Sequence, residues 1–200
     1  MEETNPFFQT NVVLKCEYDA LGRRVARLVP NGSNWDRTDY YSAGFQVLEE
    51  RFAENQADPD TVASDPQYQY VWGMRYVHAP VLRDADTDAD GDCTDDGGSE
   101  RLYYTQDANF NVTSLVEPDG DVVERVVYDP YGKPTFLKAD WTLQEVSGHA
   151  DGAASAYANE ILFTGHRLDP HPTAWYRWWL EHRGEYGTGE AGAAAGEASP

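Results

Sequence analysis

The chain has 200 residues, and its 35 acidic against 15 basic residues give a formal net charge of −20. Nucleic-acid binding needs a basic surface that this composition lacks, so we expect no nucleic-acid partner. No apolar run approaches the about 18 residues of a membrane span, and the first residues show no export signal. The two cysteines are too few for a disulfide scaffold or a structural zinc site.

Short apolar runs alternate with turn residues between positions 11 and 52. The runs NVVLKCEY, RVARLV and FQVLEERF have strand lengths, and LG, PNGS and SAG separate them. Farther along, Tyr68, Tyr70 and Trp72 alternate with glutamines, which predicts a strand with one aromatic face. We expect that face to pack inside the sheet. The alternative is an exposed platform that stacks on sugar rings.

Two turns interrupt the valine-rich segment that follows. Residues 117–120 (EPDG) separate two apolar runs and predict an antiparallel hairpin. Residues 129–132 (DPYG) fit a type I turn with aspartate first, proline second and glycine fourth, and residues 19–22 (DALG) nearly repeat them. A tyrosine precedes each copy, so we interpret both as units of a strand–turn–strand array. The scaffold residues of these two units are Tyr18, Asp19, Gly22, Tyr128, Asp129, Pro130 and Gly132.

Three motifs together resemble the YD-repeat, or Rhs, proteins. They are YDALGRRV, the run LYYTQDANFNVTSLVEPDGDVVERVVYDPYGKPT, which looks like the Rhs repeat-associated core, and NEILFTGHRLDP. The resemblance implies an all-β fold of antiparallel β-hairpins wound into a spiral sheet. In this family the sheet forms a hollow shell around a cargo domain, in toxin-delivery or cell-surface proteins. It implies a secreted or cell-surface location, and the partners would be the remaining repeats of the shell or the cargo.

The resemblance divides the chain into four parts. Residues 1–82 match the repeat loosely, 83–100 form an acidic loop insertion, and 101–170 match the core. Residues 171–200 diverge in order and have the low-complexity composition of a disordered tail. We therefore expect a fragment of a shell, truncated or shifted in reading frame near residue 170, without the self-cleavage motifs of some relatives.

The acidic loop is the best candidate for a cofactor site. Its alternating aspartates are suited to calcium, which takes six to eight oxygen ligands. Read from Asp86, the order Asp-x-Asp-x-Asp-Gly matches the first half of an EF-hand loop, but Gly97 stands where a bidentate glutamate would complete it. The alternative is a solvated loop without a cation. The candidate calcium ligands are Asp84, Asp86, Asp88, Asp90 and Asp92.

The sequence contains no recognisable catalytic motif. It has no Gly-x-Ser-x-Gly elbow, no His-Glu-x-x-His and no phosphate-binding loop. We expect a structural segment without catalytic activity of its own and name no catalytic residue. Two other functions stay open: a calcium- or glycan-binding surface module, and a hydrolase with an unrecognised pair of carboxylates.

Overall fold

The structure, a computed structural model, describes residues 14–94, 99–146 and 152–168. Contacts group Met1–Arg167 into one unit and Leu168–Pro200 into another, of which only Leu168 is described. The expected tail, 171–200, lies outside the described residues. The elements are β1 Lys15–Tyr18, β2 Arg24–Asn31, β3 Asn34–Ala43, β4 Gln46–Gln56, β5 Tyr68–Trp72, β6 Pro80–Asp86, β7 Ser99–Gln106, β8 Val112–Val116, β9 Val122–Tyr128, β10 Pro134–Lys138 and a 3₁₀ turn, Phe163–Gly165.

All of these strands lie in one antiparallel sheet, and their order in the sheet is their order in the chain. The prediction of an all-β fold of antiparallel hairpins is therefore confirmed. The alternating residues that predicted strands also set the register, because the side-chain period of a strand is two. Among the described residues, no helix is both long and apolar enough to cross a membrane.

One five-residue turn recurs through the structure. In each copy the N–H of the first residue donates to the carbonyl of the fifth, and the N–H of the fourth donates to the carbonyl of the first. The fourth residue has a positive φ, which favours glycine; Phe110 and Trp141 adopt it in two copies. The copies span residues 19–23, 107–111, 117–121, 129–133, 138–142 and 162–166.

The two faces of the sheet make separate sets of contacts. One carries a cluster of buried residues that includes Tyr70, Leu102 and Leu115. The opposite face carries charged pairs: Arg101 binds Asp84 through two hydrogen bonds of 2.7 and 2.8 Å, and Arg37 binds Asp39 in the same manner. Residues paired across neighbouring strands share a face, so this separation follows from the strand register.

A segment without regular strands, residues 152–167, covers the buried face; we call it the strap. Ile161 of the strap joins the apolar cluster, and the Val112 N–H of β8 donates to the Leu162 carbonyl at 3.1 Å. Residues 152–160 contain no helix, and Ala158 has a φ of 49°. The strap binds the sheet through both backbone groups and side chains.

Candidate functional site

The predicted turn residues lie in two copies of the recurring turn. The Asp129 carboxylate accepts the N–H groups of Tyr131 and Lys133, both at 2.8 Å, while Gly132 adopts a φ of 84°. Pro130 lies at the second position, where its fixed φ fits a type I turn. The hydroxyl of Tyr128 donates to the Val112 carbonyl at 2.7 Å, which fastens the end of β9 to β8. These residues therefore fix the backbone conformation of the turn and of the end of β9.

Asp19 makes the same contacts in the first copy, accepting the N–H groups of Leu21 and Arg23 at 2.9 and 3.0 Å. Gly22 has a φ of 77°, and Tyr18 ends β1 with an exposed ring. Sequence reasoning missed three copies of this turn; in one of them, residues 107–111, Asp107 accepts the N–H groups of residues 109 and 111. Asp107 at the first position was the sequence signal for this turn, but Phe110 occupies the fourth position, where the predicted copies have glycine.

A buried network of charges joins the strap to the sheet. Arg167 donates to Glu50 of β4 and, at 2.7 Å, to Glu160. Glu160 also accepts a 3.0 Å hydrogen bond from Arg27 of β2. The Arg167 guanidinium lies 5.1 Å from the ring centroid of Tyr40, within cation–π range. Burial would lower the pKa of Arg167, but the carboxylates of Glu50 and Glu160 outweigh it and keep the pKa well above its usual value.

A buried carboxyl anchors the other end of the strap. Glu124 of β9 has no exposed surface, and it accepts the Ser155 hydroxyl at 2.7 Å and the Ala156 N–H at 2.8 Å. Burial raises the pKa of Glu124 to about 7, because these two hydrogen bonds only partly offset the loss of solvent. Glu124 therefore holds a proton under mildly acidic conditions.

The aromatic strand lies beneath the strap. Tyr70 is only 7% exposed and belongs to the apolar cluster, while Tyr68 and Trp72 pack against it. The indole N–H of Trp72 donates to the Val47 carbonyl at 2.6 Å, and Arg83 lies 4.5 Å from the ring centroid of Tyr68. The rings therefore pack inside the protein, and they do not form the flat exposed platform that sugar stacking would need.

The structure brings together three of the five candidate calcium ligands. One carboxylate oxygen from each of Asp86, Asp88 and Asp90 lies within 4.8 Å of the others. Asp86 also accepts the N–H groups of Ala89 and Gly91, and the Gly91 hydrogen bond lowers its pKa. This loop begins after Asp86, where β6 ends, and not at residue 83.

The other two candidates have protein partners. Asp84 lies within β6 and binds the guanidinium of Arg101 on the opposite face of the sheet from the strap. Asp92 accepts the N–H and the hydroxyl of Thr94 at 2.8 and 2.7 Å. Neither belongs to the three-carboxylate group found among the described residues.

Comparisons with solved structures include a distant likeness, to TcdB2-TccC3. No family model matches the chain, and no curated protein does. The crystal structure of TcdB2-TccC3 matches with 14% sequence identity and a TM-score of 0.40, over 80% of this chain. The match covers 8% of the TcdB2-TccC3 chain.

Proposed function

We propose that this chain is a structural wall segment of an Rhs-like toxin-delivery or cell-surface protein, without catalytic activity of its own. The observation that carries the proposal is the ten-strand sheet, whose strands follow the chain order and four of whose hairpins use the same turn. Such a sheet grows by adding one hairpin at a time, which suits the wall of a larger shell. The partners would then be further repeats and an enclosed cargo.

The strap supports a structural role for three charged residues of the sheet. Arg27, Glu50 and Glu124 each bind a strap group, so their charges are used to hold chain segments together. A hydrolase would need a pair of carboxylates that substrate can reach. Glu124 has no exposed surface, and Glu50 is nearly as buried. The burial of Glu50 and Glu124 therefore favours a structural wall segment over a hydrolase.

Cryo-electron microscopy of the protein made from the complete reading frame would test this proposal. We expect the sheet to continue beyond β1 into further hairpins and to curve around an enclosed volume, because an open sheet edge invites pairing. A complete protein in which β1 ends the sheet and no volume is enclosed would contradict the proposal. The Glu124→Gln variant should give the same architecture. This result would show that forming the wall requires no reaction of the Glu124 carboxyl.

A second function, calcium binding, is favoured by the close approach of Asp86, Asp88 and Asp90. We propose that these three carboxylates hold one calcium ion at the hairpin tip. Oxygen ligands at alternating positions fit this cation, and a site with few protein ligands falls in the weak range of affinities, about 10⁻⁴–10⁻³ M. Calcium would offset the mutual repulsion of the three carboxylates.

Chemical denaturation with and without calcium would measure this binding. At about 10 mM calcium we expect the free energy of unfolding to rise by about 1–3 kcal/mol, as linkage predicts for that range of affinity. Asp88→Asn/Asp90→Asn should abolish the increase, whereas Asp119→Asn/Asp121→Asn, which removes two carboxylates from another turn, should keep it. An equal calcium effect in both double variants would contradict a specific site.

A further inference from the structure

The two rims of the sheet, where its hairpins turn, have opposite surface chemistry. Because every strand pairs with the next, turns alternate between the rims. One rim, which we call the acidic rim, holds ten carboxylates and no lysine or arginine among its described residues. The described residues of the acidic rim are 32–33, 57–67, 87–94, 117–121 and 139–142.

The other rim, the apolar rim, is balanced in charge and exposes large apolar side chains. It consists of the turns at residues 19–23, 44–45, 73–79, 107–111 and 129–133, which carry three aspartates, two arginines and one lysine. Phe45 is 70% exposed, Leu21 72%, and Met74 fully so. Tyr76, Val77 and Tyr131 are also exposed.

Four of the five turns of the apolar rim expose a large apolar side chain, and the turn at residues 107–111 does not. Neighbouring strands lie about 4.8 Å apart, so successive turns on one rim are about 10 Å apart and five of them span about 40 Å. Exposed apolar groups that line up in this way mark an interaction surface, whereas isolated ones do not. The acidic rim exposes only two large apolar side chains among its described residues, Val62 and Trp141.

We propose that the apolar rim binds the same rim of a second copy of this chain and forms a two-fold dimer. The net charge of the chain and the charge of each rim indicate which surface the apolar rim binds. The chain carries a net charge of −20, and contact through the acidic rim would bring like charges together. An apolar rim placed against an acidic rim would bury carboxylates without partners. Two apolar rims avoid both costs, and self-complementary contact is the usual basis of a closed dimer.

The order of turns along the apolar rim places the two-fold axis at its centre. The third of the five turns is residues 73–79, and it carries Met74, the most exposed apolar residue of the rim. Met74 of one chain therefore contacts Met74 of the second copy. Antiparallel alignment brings the first turn near the fifth, so the ion pair between Arg23 and Asp19 lies beside Asp129 and Lys133 of the second copy. The dimer is an inference from the single chain and does not depend on the proposed shell.

Sedimentation equilibrium of the full chain between about 1 and 200 µM would test the dimer. A strip of turns buries less area than a standard interface of about 800 Å² per partner. We therefore expect a dissociation constant in the micromolar range. Met74→Asp should raise the dissociation constant at least about 100-fold, because each dimer then buries two charges at its axis. Added salt should strengthen the wild-type dimer, since salt screens the repulsion between two acidic chains.

Val62→Asp, a substitution on the acidic rim, is the matched control and should leave the dissociation constant unchanged. Met74 and Val62 are both exposed, so near-UV circular dichroism should show unaltered folding in both variants. A wild-type chain that remains monomeric at about 200 µM would overturn the proposal. A dimer that tolerates Met74→Asp and Phe45→Asp would also overturn it.

Discussion

Replacing Arg167 with methionine is expected to lower the free energy of unfolding by about 3–5 kcal/mol. Arg167 holds two largely buried carboxylates, Glu50 and Glu160, and its removal leaves both with fewer partners in a site where water cannot replace them. Methionine retains most of the side-chain volume, so the loss reports the charge contacts more than a cavity. Urea denaturation followed by tryptophan fluorescence would measure it.

A double-mutant cycle would separate this network from a general effect of losing arginine. The variant Arg167→Met/Glu50→Gln removes one of the uncompensated carboxylates and should recover about 1–3 kcal/mol relative to additivity. Arg75→Met, at an exposed position of the loop 73–79, should cost about 0.5 kcal/mol or less. Equal losses for Arg167→Met and Arg75→Met would show that the strap does not depend on the network.

The Glu124→Gln variant should gain stability relative to the wild type as the pH rises. The pKa of Glu124 is about 7 in the folded chain against an ordinary value of 4.5, so the folded state holds the proton more tightly. The stability that this proton contributes is complete below about pH 4.5 and is lost as the pH rises through about 7. Glutamine keeps both hydrogen bonds, because its oxygen can accept the Ala156 N–H and its amide can donate to the Ser155 hydroxyl.

Urea titrations at a series of pH values would measure this gain. Starting at about pH 5, above the sequence pI of about 4.4, keeps the chain charged. Between about pH 5 and pH 8 the difference in free energy of unfolding between Glu124→Gln and the wild type should grow by about 2–3 kcal/mol. Glu54→Gln, on an exposed position of β4, controls for the loss of one carboxylate. A constant difference for Glu124→Gln would refute a buried, protonated carboxyl.

The strands and their turns were predictable because both leave short-range signals in the sequence. The alternation of Tyr68, Tyr70 and Trp72 marks a strand with one buried face, and DPYG marks the turn after β9. The acidic stretch shows the limit of such signals. A strand and an Asp-x-Asp loop share a period of two, so Asp84 in β6 and Asp88 in the loop look alike in the sequence.

The strap was not predictable, because its contacts join residues far apart in the chain. Arg167 and Glu50 are 117 positions apart, and Arg27 and Glu160 are 133 apart. The composition of residues 149–160 indicated only a small, polar segment, and the motif NEILFTGHRLDP gave no sign of which sheet residues Glu160 and Arg167 would bind. The contact between the rings of His78 and His166, whose centroids lie 4.4 Å apart, likewise depends on the folded path of the strap.

The match between strand order and chain order has a consequence for how the protein folds. Each hairpin needs only its predecessor and closes a short loop, so the sheet can form progressively while the chain is being synthesised. The strap follows all ten strands, and its ion pairs require β2 and β4 to be in place. Until Arg167 has left the ribosome, the growing sheet therefore exposes Tyr70, Leu102 and Leu115, and a chain stalled at that stage is most prone to aggregate.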